Sequence, residues 1–157
     1  MNHTVLALLI AAGLGVSAIG GAFAADHGHA SHGAAQSEPT LDHGRQWPTD
    51  GALRHGMSEI RDLMADAAPR IHDGRFDAAE FSRLANGISA RIEYVTANCK
   101  LPPEADAQLH LVLARIMDGV EHMKTERKAQ DGVVMVIDAI SSYGRFFAHP
   151  GWQSPSH

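Results

Sequence analysis

The chain folds back on itself within the stretch Tyr94–His110, whose sequence is YVTANCKLPPEADAQLH. Pro102 and Pro103 cannot continue a helix that arrives through Cys99, because proline lacks the amide donor and its ring crowds the preceding turn. Pro103 suits the first position of a new helix, and the acidic residues that follow it meet the positive end of the helix dipole. The stretch therefore predicts a tight turn between two antiparallel helices.

Apolar residues recur at steps of three and four in four segments, which is typical of helices with one core-facing side. The first segment is preceded by Asp50, placed to cap it, and the second by Asp77, which has capping-box spacing with Glu80. The third begins at Pro103 and the fourth follows a polar loop. The residues predicted to face the core are Leu53, Met57, Ile60, Met64, Ala67 and Ile71; Phe81, Leu84, Ile88, Ile92, Val95 and Cys99; Leu109, Val112, Leu113, Ile116, Val120 and Met123; and Val133, Val136, Ile137, Ile140, Gly144 and Phe147.

Short connections join these four segments. Pro69 is expected to kink or end the first helix and Gly74 to close the turn after it, while His149-Pro150-Gly151 ends the fourth helix. Four helices joined in this way predict an all-α fold, an antiparallel up-down-up-down four-helix bundle. The bundle is predicted over residues 49–152, with a C-terminal tail at 153–157.

The first 24 residues have the features of an export signal. Val5–Ala24 is apolar apart from Ser17 and ends in Ala22-Phe23-Ala24, the small-x-small pattern at which signal peptidase cuts. The run is also long enough to span a bilayer, so an uncleaved membrane anchor is the alternative. Because the run ends at a cleavage pattern and not at basic residues, we expect residues 1–24 to be a signal peptide and the protein to be periplasmic.

Charge and cysteine content restrict the partners. Residues 1–24 contain no Lys, Arg, Asp or Glu, so the formal net charge of −5 belongs to the rest of the chain. A mildly acidic surface offers no basic face to neutralise phosphates, which argues against a nucleic acid partner. The single cysteine, Cys99, cannot form an internal disulfide, so it is a small buried side chain, a metal ligand or a link between two copies.

Residues 25–48 are rich in Ala, Gly, Ser and His and are predicted to form a disordered His-rich arm. Cleavage after Ala24 would leave a free amine with histidine in the third position. The amine, two deprotonated backbone amides and one imidazole can hold Cu(II) or Ni(II) in a plane. The alternative is a flexible leader that binds nothing. The metal-site prediction, with copper as the first metal, comprises Ala25, Asp26, His27, His29 and His32.

The predicted topology gathers further candidate ligands at one end of the bundle. Met57 and Cys99 are expected to point into the core there, with His110 at its flank and His55 pointing away from Met57. Two sulfur atoms and one imidazole could bind Cu(I), although Met and Cys in a core are usually packing residues. Trp47 and Trp152 are predicted at the same end, where their indoles would shield the core.

Met57, near the start of the first helix, and His149, near the end of the last, are placed as in soluble b-type bundle cytochromes. The segment LHLVLARIMDG resembles sequence found in these cytochromes. This resemblance implies haem b as an alternative cofactor, with Met57 and His149 as its axial ligands. Covalent c-type attachment is excluded, because no Cys-x-x-Cys-His occurs.

Three stretches together resemble one family of small exported bundle proteins, labelled DnrO-like. They are DHGRQWPTDGALRHGM at 42–57, NCKLPPEADAQLH at 98–110 and YGRFFAHPGW at 143–152. The resemblance covers nearly the whole chain after the signal segment. It implies an exported helical bundle with a His-rich leader, and it implies no activity and no catalytic residues.

No motif in the chain predicts catalysis. Di-iron bundles need Glu-x-x-His on two helices, a spacing that does not occur in this sequence. The pairs Asp106/His110 and Asp118/His122 have the spacing that stabilises an exposed helix face. We therefore expect a non-enzymatic protein that binds a transition metal. A cofactor-free periplasmic adaptor or sensor with a protein partner is the further alternative.

Overall fold

Four long helices and one short 3₁₀ turn make up most of residues 37–155, the part of the chain that this computed structural model describes. Each helix packs against the next in the chain, and the last packs back on the first. The predicted all-α four-helix bundle is confirmed. The helices are α1 (Gly51–His72), α2 (Ala78–Asn98), α3 (Pro103–Met123) and α4 (Ala129–Phe146), with the 3₁₀ turn at Glu126–Lys128.

The helices begin at the residues that the sequence marks as caps. The Asp50 carboxylate accepts a hydrogen bond from the Leu53 amide at 2.7 Å and caps α1. Asp77 caps α2 and forms the predicted capping box with Glu80. Pro103 is the first residue of α3. These three starts confirm the predicted boundaries.

Pro69 does not end α1, which continues to His72. The Asp73 amide donates to the Pro69 carbonyl at 3.1 Å, so the hydrogen-bonded ladder extends one turn past the proline. The missing proline amide removes only one bond of that ladder. Gly74 then closes the turn with a φ of +66°, a backbone conformation that glycine adopts without strain.

The predicted core-facing residues are buried, with three exceptions: Ile71, Cys99 and Gly144 are half-buried. Ile71 and Cys99 lie at the ends of their helices, where fewer neighbours cover them. Gly144 is covered by the side chain of Trp152. The sequence did not predict that Tyr143 would be fully buried.

The four helices do not pack equally closely. α3 and α4 form the most extensive pair, and α1 and α4 the least extensive of the neighbouring pairs. Two glycines allow the close approach of α3 and α4. A Cβ atom on Gly132 would overlap the Gly119 carbonyl oxygen and lie 2.7 Å from the Met123 nitrogen. Because α1 and α4 pack less closely, a groove remains between them.

Residues 37–49 lie against the end of the bundle. The Trp47 amide donates to the Phe146 carbonyl at 2.8 Å, and the Ala148 amide donates to the Trp47 carbonyl at 2.9 Å. The Trp47 indole is partly buried against the core. Glu38 lies 3.5 Å from both Arg115 and Arg145.

These contacts correct the predicted extent of the disordered arm, 25–48. Its last part, 37–48, is held to α3 and α4, because one tryptophan and a few backbone hydrogen bonds suffice to fix a segment with few apolar residues. Residues 25–36, like the signal segment 1–24, lie outside the part that the structure describes.

Asp50 joins two parts of the bundle. Its second carboxylate oxygen accepts a hydrogen bond from the Lys100 amide at 2.6 Å, which ties the start of α1 to the α2–α3 turn. Burial raises the pKa of Asp50, but the hydrogen bonds from the Leu53 and Lys100 amides outweigh burial and hold the pKa below its usual range. The ionised carboxylate therefore stabilises the fold at neutral pH.

We expect Asp50→Ala to lower the free energy of unfolding by about 2 kcal/mol, about half from the cap and half from the lost bond to Lys100. Asp77→Ala removes a cap with no such tertiary link and should cost about 1 kcal/mol. Urea unfolding measures both. Because the pKa of Asp50 is lowered on folding, the cost of Asp50→Ala should diminish as the pH falls through that lowered pKa. If both variants lost the same free energy of unfolding, the hydrogen bond between Asp50 and Lys100 would not contribute to stability.

Candidate functional site

An aromatic cluster closes the end of the bundle at which α4 finishes. The Tyr143 hydroxyl lies 3.0 Å from Nδ1 of His149. The Trp152 ring packs on Tyr143 and on His149, with centroids 4.8 Å apart in both pairs. Gly144 has no side chain, which leaves room for the indole of Trp152. The C-terminal tail therefore folds back along α4.

The two tryptophans lie at the same end of the bundle, as predicted. Trp47 is hydrogen-bonded to the end of α4, and Trp152 packs on the last turns of α4. Both indoles contact the core. The bond between Asp50 and Lys100 places the α2–α3 turn at this end too.

The two residues predicted to hold haem lie in different environments. Met57 is fully buried among core side chains. α4 ends at Phe146, so His149 is not on a helix, and its Nδ1 faces the Tyr143 hydroxyl. Burial, followed by the charges of Arg54 and Arg61, lowers the pKa of His149. Met57 is enclosed by core packing and neither residue lines the groove between α1 and α4, so haem b held by Met57 and His149 stays a prediction.

The structure does not bring Met57, Cys99 and His110 together as a Cu(I) site. Leu109 is buried, and the next residue is rotated by about 100° around the helix, so the His110 side chain is 67% exposed. Its Nδ1 lies 2.8 Å from the Asp106 carbonyl oxygen. Within residues 37–155, no three His, Cys, Asp or Glu side chains are grouped closely enough to hold a metal ion.

The N-terminal candidates Ala25, Asp26, His27, His29 and His32 lie outside the described residues. His43, also in the predicted arm, is exposed, with its Nδ1 2.8 Å from an Asp42 carboxylate oxygen. None of the helices in residues 37–155 has the length and apolar character needed to cross a membrane.

Cys99 is the residue that follows α2, and it is half-buried. Burial raises the pKa of its thiol to about 11, and the neighbouring Asp50 carboxylate contributes through its charge and a hydrogen bond. The thiol is therefore protonated at neutral pH. The main physical cause of the raised pKa is desolvation of the thiol.

A groove of about 1000 Å³ runs between α1 and α4. Its floor consists of buried side chains, Met64 from α1 and Val133 and Ile137 from α4. The wall also includes four residues of the tail, Gly151, Gln153, Ser154 and Pro155. The sequence alone did not predict this groove. The available signal was a pair of small residues, Ala65 and Ala68, beside the apolar stripe of α1.

No known protein family, no curated protein and no solved structure matches the chain. The function is therefore inferred from the chemistry of the chain's own residues. Two regions carry such chemistry: the N-terminal segment, through its sequence, and the groove between α1 and α4, through its geometry.

Proposed function

We propose that this protein is an exported, non-enzymatic four-helix bundle that binds a transition metal, copper first, through its N-terminal segment. One observation carries the proposal. The sequence Ala22-Phe23-Ala24 marks a cleavage site, and the residues directly after it are Ala25-Asp26-His27. The resemblance to DnrO-like exported bundle proteins supports the compartment and the architecture.

The chemistry of such an N-terminus favours Cu(II). The free amine of Ala25, the amides of Asp26 and His27, and one imidazole nitrogen of His27 supply four nitrogen ligands in a plane. A planar arrangement suits the tetragonal preference of Cu(II) and square-planar Ni(II), while Zn(II) prefers a tetrahedron. His29 and His32 follow closely in the sequence and can supply further imidazoles.

The folded bundle supports this function as a carrier for the segment. The described part of the chain begins at Ser37, ten residues after His27 in the sequence. Glu38 lies beside Arg115 and Arg145, so the described start of the chain is fixed to α3 and α4. The metal-binding residues would thus be attached to a stable exported body.

Titration with Cu(II) tests the proposal. Protein that begins at Ala25 is compared with a form that carries one extra residue before Ala25. The extra residue moves histidine to the fourth position, so we expect a square-planar absorption band from the first form only. Binding should strengthen as the pH rises, because the amides must lose protons.

His27→Ala is the matched variant and should abolish the band, while His29→Ala should retain it. Mass spectrometry of protein isolated from its own cells shows whether cleavage occurs after Ala24. Identical spectra and affinities for the two N-termini would rule out the N-terminal site. A metal-free periplasmic protein that co-purifies with a protein partner would favour the adaptor or sensor alternative.

A further inference from the structure

The groove between α1 and α4 has an elongated apolar form. Its α1 wall runs from Arg61 to His72 along one face of the helix. The eleven residue-to-residue steps from Arg61 to His72, at about 1.5 Å each, give a length of roughly 16 Å. Between these ends the α1 wall contains Met64, Ala65, Ala68, Pro69 and Ile71, all apolar.

The ionisable side chains that line the groove are all basic. Among the described residues that line it, Arg61 and His72 are the ionisable ones, and no Asp or Glu is present. The Arg61 guanidinium lies over the Trp152 ring, 5.2 Å from its centroid, which holds it beside the tail. Ser154 and Gln153 add polar groups at this end. One end of an apolar groove thus offers a cation and hydrogen-bonding side chains.

Arg61 retains hydrogen-bonding capacity for a ligand. Its Nε and one Nη donate to the same carboxylate oxygen of Asp62, at 2.9 and 2.7 Å. A guanidinium has five N–H donors, so this contact leaves other donors available. The Asp62 side chain is 61% exposed, and solvent weakens its attraction for Arg61.

We propose that this groove binds a free single-chain carboxylate, a medium-chain fatty acid, with its carboxylate at Arg61 and its alkyl chain over Met64, Val133 and Ile137. Charge complementarity supports an anionic head, and the apolar floor supports an alkyl tail. With C–C bonds of about 1.5 Å in a zigzag, an extended chain of about twelve carbons covers roughly 15 Å, close to the length of the groove. The inference is independent of copper binding, because residues 25–32 take no part in it.

The test is calorimetric titration of the purified protein, without added metal, with dodecanoate below its micellar concentration and with the matched alcohol dodecanol below its solubility limit. We expect dodecanoate to bind about tenfold more tightly than dodecanol, because a charge-assisted hydrogen bond contributes roughly one decade of affinity. Arg61→Gln should remove that difference. Asp62→Asn should strengthen dodecanoate binding, because it frees the guanidinium, and should leave dodecanol unaffected.

Ala65→Trp fills the groove from its exposed wall and should weaken both ligands at least tenfold. Ala90→Trp places the same side chain at an exposed position of α2 and should bind as the parent protein does. Equal affinities for dodecanoate and dodecanol would overturn the proposal, as would unchanged binding by Ala65→Trp. Binding to phospholipid vesicles in the absence of dodecanoate binding would also overturn it and would indicate a membrane surface as the occupant.

Discussion

Gly132→Ala is expected to lower the free energy of unfolding by about 3 kcal/mol, the upper part of the usual cost of overpacking a core. The added Cβ atom would overlap the carbonyl oxygen of Gly119 and crowd the backbone nitrogen of Met123. Both atoms belong to the backbone of α3, which cannot move aside without separating the two most closely packed helices. The variant should therefore melt at a lower temperature and unfold at a lower urea concentration.

Gly87→Ala is the matched control. Gly87 also lies in a helix, but an added Cβ atom would meet only the Leu63 side chain, at 3.4 Å, an ordinary contact. Alanine is favoured over glycine in a helix by about 0.5 to 1 kcal/mol, so this variant should be more stable than the parent protein. If both variants changed stability in the same direction, the close α3–α4 crossing would not be the cause.

The sequence predicts where the helices begin better than it predicts how closely they pack. Capping residues, prolines and apolar periodicity are local, so the starts of α1, α2 and α3 follow from them directly. α3 approaches α4 closely because Gly119 lies against Gly132. The apolar periodicity of each helix does not show which residues of the two helices will face each other. The groove between α1 and α4 escapes prediction for the same reason, because it is a property of a helix pair.

The aromatic cluster could not be predicted from the sequence either, because it depends on contacts between separate segments of the chain. Tyr143 lies beside the predicted stripe of α4, and its burial depends on Trp152, which arrives from the tail. His149 follows the end of α4, and its imidazole turns back to the Tyr143 hydroxyl, a contact that helical periodicity cannot show. Residues 37–49 are likewise fixed by partners about a hundred positions away in the chain.

Cys99 is expected to react with thiol reagents about a hundredfold more slowly than an ordinary cysteine at neutral pH. The thiolate is the reactive form, and its fraction falls about tenfold for each unit by which the pKa rises. Burial, with help from the Asp50 carboxylate, raises the pKa of this thiol from 9.0 to about 11. Slow labelling would agree with a packing role, and rapid labelling would support a metal ligand or a link between two copies.

The pH dependence of labelling distinguishes the raised pKa from simple steric protection. For the native protein the rate should continue to rise above pH 10, while for the urea-unfolded chain it should level off about two pH units lower, near the ordinary thiol pKa. Asp50→Asn keeps a side chain that caps helices well but removes the negative charge. It should speed labelling several-fold without reaching the unfolded rate, because burial, the larger cause of the raised pKa, remains. A native profile that levels off at the same pH as the unfolded one would show that the Asp50 carboxylate and burial leave the thiol unperturbed.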